Sequence, residues 1–377
     1  MYSIFGYRQM IADNSRVAAY FAALQQAIKP GSIVADIGTG TGFFALLACQ
    51  LGARKVYAFE PANIIQVARE SAAVNGFHDR IDFIQDFSTN VAFSEKADVI
   101  VSDLRGILPW CQQHLPSILD ARSRLLAPQG VLICKRDTVW AAPVEIGEAY
   151  SKLVDPWHNG KYNLVLTPAL KLATNTWSKQ YIKPAELLGE PVCWFTLEYS
   201  KFEEVNVQAR FSLPIERSGT AHGFAVWFDS ETLDGIFFRN GPGNKESLYS
   251  NAFFPFPKAV VVKPGDRMEI TLRADLISED YVWQWETSIA NADEISFKQS
   301  TLLGTPLSHS QLQKRSATYV PELSNDGQIE RFILSRIDGT NSVETIAGDL
   351  AAKFPDHFLG FQDALDLVAE LSSKYSK

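Results

Sequence analysis

The stretch "VADIGTGTGFFALL", residues 34–47, decides the fold. An apolar run ends in Asp36, three glycines alternate at Gly38, Gly40 and Gly42, and a second apolar run follows. A strand that ends in a glycine-rich turn and enters a helix is a nucleotide-type site. The glycines let backbone N–H groups approach a ligand, and the helix N-terminus favours negative charge. Glu60 ends the next apolar segment, 20 residues after Gly40. A carboxylate there can bind ribose hydroxyls.

Outward from this turn, strands alternate with helices. "SIVADI" (32–37), "KVYAFE" (55–60), "IDFI" (81–84), "ADVIVSD" (97–103) and "GVLIC" (130–134) read as buried strands, with helical stretches at 43–51, 62–75 and 114–126. That alternation predicts an α/β domain, a mostly parallel Rossmann-like sheet over residues 32–150. Residues 1–31 read as a helical segment closed by Pro30-Gly31, and 151–187 as a mixed connector, a possible arm. Over 188–310 strands succeed one another without long helices, as in "VCWFTLEY" (192–199), "VQARFSL" (207–213) and "YVWQWET" (281–287). This predicts an antiparallel β-barrel or sandwich. From 321 to 377 the pattern is helical again, with Asn341 and Glu344 spaced as a capping box.

Bulk properties narrow the function. The chain has 377 residues and a formal net charge of −8. Such an acidic balance argues against a nucleic-acid partner. The four cysteines (49, 111, 134 and 193) form no C-x-x-C pair. That is neither a zinc pattern nor a disulfide framework, so no metal is expected and a reducing, cytoplasmic setting is. No basic-then-apolar leader opens the sequence and no run of about 18 apolar residues occurs, so neither a signal peptide nor a membrane span is expected.

The turn distinguishes between cofactors. A dinucleotide site wants G-x-G-x-x-G/A, whereas here Phe43 stands at the third small position. The D-x-G-x-G-x-G form resembles the S-adenosylmethionine (SAM) motif of class I methyltransferases, and Asp36 suits a ligand with a positive amino group. "GTGTGFFALLACQLGARKVYAFE", "QMIADNSRVAAY" and "HGFAVWFD" (222–229) together resemble the protein arginine methyltransferases, over roughly residues 7–290. The resemblance implies SAM contacts from Arg16, Asp36, Gly38, Gly40 and Glu60, with Asp86 and Phe87 near the adenine. It also implies a homodimerisation arm around Trp157–Pro184.

The resemblance breaks at the acceptor loop. The family carries two glutamates there, which orient the always-charged guanidinium of the substrate. Here the loop reads "SDLRGILPWCQQ" (102–113). Asp103 takes the first glutamate position and neutral Gln112 the second, while Arg105 brings in a cation. Asp103 is the expected catalytic group, with Arg105, Gln112 and Tyr249 expected to face the substrate. Tyr249 closes Ser247-Leu248-Tyr249, where the family has T-H-W, and Tyr7 replaces a family histidine. His114 is either a solvated helix residue or a general base. The expected reaction is methyl transfer to a peptide or small metabolite. Two alternatives stand beside it: arginine methylation using Asp103 and a second carboxylate such as Glu145, and a non-catalytic SAM-binding scaffold. Residues 321–377 lie outside this pattern. "ILSRIDGTNSVETIAGDLAAKF" resembles a PqqD-like winged-helix module, which implies either peptide recognition on a strand edge or a structural role.

Overall fold

The computed structural model describes residues 3–93, 95–158, 164–244, 247–290 and 295–376. The chain divides into two units, Met1–Pro306 and Leu307–Lys377. The first opens with two helices, α1 (Ile4–Ala12) and α2 (Asn14–Ala27), instead of one segment running to Pro30. Asp13 separates them: its side chain accepts the Arg16 N–H at 3.1 Å and caps α2. On α2, Arg16, Ala19, Tyr20, Ala23 and Leu24 are buried, the three-and-four spacing of a helix with one inward face.

Five parallel strands follow: β1 (Ile33–Ile37), β2 (Lys55–Phe59), β3 (Ile81–Ile84), β4 (Ala97–Ser102) and β5 (Leu126–Ile133). Their order in the sheet is β3-β2-β1-β4-β5. Helices α3 (Phe43–Gln50), α4 (Ile65–Val74) and α5 (His114–Arg124) connect them. Every residue of β1 is buried, as expected of a central strand covered on both faces. The carboxyl ends of β1 and β4, adjacent in the sheet, carry the glycine turn and the Asp103 loop. Ligands gather at that edge in open α/β sheets.

The antiparallel part starts earlier than residue 150. β6 (Arg136–Val144) pairs antiparallel with β8 (Val192–Glu198) and β10 (Gly219–Leu233), not with the parallel sheet. Before β7 (Ser178–Gln180) come α6 (Gly147–His158) and α7 (Thr167–Thr174); residues 159–163 of the expected arm lie outside the described residues. β9 (Val207–Pro214), β11 (Ile236–Arg239), β12 (Asn251–Val262), β13 (Arg267–Ile277), β14 (Asp280–Ala290) and β15 (Ile295–Ser300) complete the set. One sheet runs β7-β12-β10-β6-β8 with β11 beside β10, and the other runs β15-β14-β13-β9. In β14, Tyr281, Trp283, Trp285, Thr287 and Ile289 are buried in strict alternation, so one face of that sheet is core. Trp283 and Trp285 meet Phe254 of β12 at ring separations of 5.7 and 5.2 Å, which joins the two sheets through aromatic edges.

The second unit contains α8 (His309–Lys314) and three longer helices, α9 (Asn325–Leu334), α10 (Val343–Lys353) and α11 (Phe361–Tyr375). Ile329, Ile333, Ile346, Leu350, Val368 and Leu371 form its separate core. The cap of α10 is Ser342, which accepts the Thr345 N–H, while Asn341 turns back to Asp338. Its described residues contain no strand, so the strand edge that a winged-helix peptide grip needs is missing from them. Among the described residues no helix is long and apolar enough to cross a membrane.

Candidate active site

The glycine turn has the geometry of a ligand cradle. Gly38, Gly40 and Gly42 take φ values of +76°, +56° and +83°, a region that residues with a Cβ avoid. A Cβ on Gly38 would lie 2.2 Å from Leu104 Cδ2, and one on Gly40 2.6 Å from Tyr7 Cε1. Tyr7 of α1 and Leu104 of the acceptor loop therefore close directly over the turn. Glu60 spans its rim, accepting the Gly40 N–H at 3.1 Å and the Ala62 N–H at 3.0 Å. Asp36 lies deeper and is braced by the Thr39 hydroxyl at 2.6 Å. Burial pushes its carboxyl up to about 7, with the Thr39 hydrogen bond working against the rise. Asp86 holds the Phe87 N–H and the Asn90 amide, and the Phe87 ring is exposed.

Asp103 follows β4 and is almost fully enclosed. Its Oδ2 receives Arg16 Nη1 at 2.5 Å, its Oδ1 receives Arg105 Nε at 3.1 Å, and the Tyr249 hydroxyl lies 2.8 Å from both oxygens. Burial alone would raise this carboxyl. Arg16 and Arg105, with the Tyr249 hydrogen bond, outweigh it and hold the group below its ordinary value. Asp13 adds a tie from the barrel side, accepting the Leu248 N–H at 2.9 Å and so fixing the loop that carries Tyr249. Arg16 also donates to the Met10 carbonyl, yet its Nε is buried without a hydrogen-bond partner. An orphaned guanidinium donor at this edge fits an anionic group such as the carboxylate of SAM.

Several expectations change here. Arg105 does not face a substrate. Its side chain has no exposure, and all five of its donors are used, on Asp103, Asp137, Ser230, Tyr20 and Cys134. Glu145 cannot supply a second carboxylate. It pairs with Arg217 at 2.5 Å just past the far end of β6, eight residues or roughly 25 Å from Asp137. Gln112 has no hydrogen bond to Asp103 and lines a cavity of about 480 Å³ with Trp110, Trp177 and Tyr281. Trp110 is itself buried and stacks on Trp194 at 5.4 Å. His114 is neither solvated nor basic. Burial takes its imidazole down to about 3, with Arg105 adding to the effect, and Nε2 lies 3.0 Å from the Tyr199 hydroxyl. Asp137, Tyr20, Ser230 and Leu104 join the site although no motif in the sequence marks them. Asp137 could have been found as the lone carboxylate in an otherwise apolar run, "DTVWAAPV".

Comparison with known proteins fits this geometry. Residues 18–142 match the family model of ribosomal protein L11 methyltransferase (PrmA), and residues 135–287 that of the arginine methyltransferase oligomerization subdomain. A probable protein arginine N-methyltransferase 6 of Arabidopsis thaliana is 27% identical over 338 residues, 85% of this chain and 77% of that protein. The chain is thus similar to protein arginine methyltransferases over both its glycine-turn region and its antiparallel region. A further relative, the PRMT10 arginine N-methyltransferase of Oryza sativa subsp. japonica, is 30% identical over 250 residues, 59% of this chain and 65% of that one. The crystal structure of Arabidopsis thaliana protein arginine methyltransferase 10 superimposes with a TM-score of 0.69 at 22% identity, covering 78% of this chain and 96% of that one. The Trypanosoma brucei PRMT1 enzyme-prozyme complex with AdoHcy gives a TM-score of 0.72 at 18% identity, with coverages of 78% and 96%. The protein is a class I SAM-dependent methyltransferase, with SAM as its cofactor.

Proposed function

We propose that this enzyme methylates arginine in protein substrates through an acceptor site built on one carboxylate, Asp103. The observation that carries the reading is the position of Asp103. It stands at the carboxyl end of β4, joined to Leu104 on the glycine turn and to Arg16, the residue with the free inward donor. Arginine enters from the names of the relatives, all of them arginine N-methyltransferases.

SAM, when bound, supplies an electrophilic methyl on a positive sulfonium. Gly38, Gly40 and Glu60 would hold it at the turn and rim, Asp36 beneath, Asp86 and Phe87 toward the adenine, and Arg16 at the carboxylate. Asp103 would accept N–H donors of the acceptor guanidinium and hold one nitrogen toward the methyl that SAM would supply, and the proton released from that nitrogen would pass to solvent. Asp103 is ionised and held at low pKa, so it orients donors better than it takes protons. Tyr249 and Arg105 fix the carboxylate, so the acceptor meets a preset acceptor of hydrogen bonds. The oligomerization subdomain supports a homodimer.

A second reading, a peptide or metabolite acceptor other than arginine, is favoured by Arg105, which puts a cation against Asp103. One experiment separates the two. Labelled SAM is incubated with an arginine-bearing peptide and with its lysine-substituted twin. Label confined to the arginine peptide, and lost with Asp103→Asn, is the expected result. Equal labelling of both, or turnover that survives Asp103→Asn, would overturn the proposal.

A further inference from the structure

The side chain of Arg105 sits in a complete receptor for a guanidinium ion. Nε meets Asp103 at 3.1 Å and Nη1 meets Asp137 at 2.6 Å. Nη1 also reaches the Ser230 hydroxyl at 2.7 Å, while Nη2 reaches the Tyr20 hydroxyl at 2.7 Å and Cys134 Sγ at 2.8 Å. The rings of Tyr199, Phe228 and Phe238 lie 5.8, 5.3 and 5.5 Å from the guanidinium carbon. Behind Asp137 stands a further layer: the Tyr199 hydroxyl donates to its other oxygen at 2.6 Å, and His114 backs Tyr199. Two carboxylates at fixed angles with aromatic walls match a planar fork of N–H donors and not a compact ammonium.

We infer that this box is a guanidinium-binding site occupied by the chain's own arginine, and that Arg105 is a specificity-determining residue. Its side chain joins Asp103 to Asp137 in an Asp103–Arg105–Asp137 bridge. Asp103 Oδ1 is committed to that bridge, which leaves Oδ2, now on Arg16, as the oxygen an acceptor can take over. The existence of the box does not depend on what the enzyme methylates; only this consequence for the acceptor rests on the reading of Asp103 given above.

Emptying the box tests it without any methyl transfer. Arg105→Ala in the full chain is titrated calorimetrically with methylguanidinium chloride, and with methylammonium chloride as the control. Methylguanidinium is expected to bind the variant about tenfold or more tightly than methylammonium, the effect of one charge-assisted hydrogen bond, and to leave the wild type unchanged. Adding Asp137→Asn is expected to weaken that binding about tenfold again. Equal affinity for the two ions, no binding of either, or no loss with Asp137→Asn would overturn the proposal. Should Arg105→Ala not fold unaided, refolding with each ion asks the same question. Recovery specific to methylguanidinium supports the box, and equal or absent recovery overturns it. Loss of arginine-peptide methylation in the wild type would contradict the proposed function and leave this result standing.

Discussion

Two loops leave the same edge of the parallel sheet from neighbouring strands, and they are built in opposite ways. The turn after β1 is made by backbone. Its glycines take positive φ, and its polar contacts are local or come from the end of the next strand. The loop after β4 is made by side chains from elsewhere. Arg105 is met by Tyr20 of α2, Asp137 of β6 and Ser230 of β10, the last 125 positions away in sequence. A backbone site needs particular residue types at particular spacings. A side-chain site needs only that the fold deliver the right groups, so its members can lie anywhere in the chain.

The second loop should be the more easily broken. Arg105→Met leaves Asp103 and Asp137 buried without their shared cation. Its cost is expected at about 3–5 kcal/mol, read from the urea midpoint. A loss below about 1 kcal/mol would mean that the bridge is not structural and that the contrast between the loops is overdrawn. Next comes Asp103→Asn, expected to lower kcat/KM about 10²–10³-fold while calorimetric SAM binding persists. If SAM binding failed equally, the two loops would be one cofactor site. Glu60→Ala touches the first loop only. SAM affinity is expected to fall about tenfold or more with the urea midpoint little changed.

A fourth test reads a pH slope. The folded-state pKa of Asp36 is about 7, above its unfolded value, so the folded chain holds a proton that the unfolded chain releases. Its stabilising contribution is full below about pH 4 and is lost as pH rises toward 7. Asp36→Asn is expected to remove that slope, so the variant gains on the wild type in urea melts between those pH values. Parallel profiles for the two proteins would show that the Asp36 carboxyl does not carry the linkage.

The parallel sheet, the glycine turn, Glu60 at its rim and the antiparallel strands around "HGFAVWFD" were all legible in the amino-acid order. These rest on local rules: apolar periodicity, the freedom of glycine, and a strand–turn–helix order that places one backbone site. It also placed Asp103 at a strand end, and the spacing back from the Pro264-Gly265-Asp266 turn brought Tyr249 into view. The sequence did not reveal the company Asp103 keeps. That β6 leaves the parallel sheet at residue 136 was hidden because its longer part, "VWAAPV" (139–144), is as apolar as a buried parallel strand. Its antiparallel pairing to β10 is what carries Asp137 to Arg105. The inward turn of Arg105 emerges from packing in three dimensions. A lone arginine in a loop is solvated by default, and burying it is tolerable only where two carboxylates and three further polar groups converge on its five donors, a condition set by three-dimensional proximity.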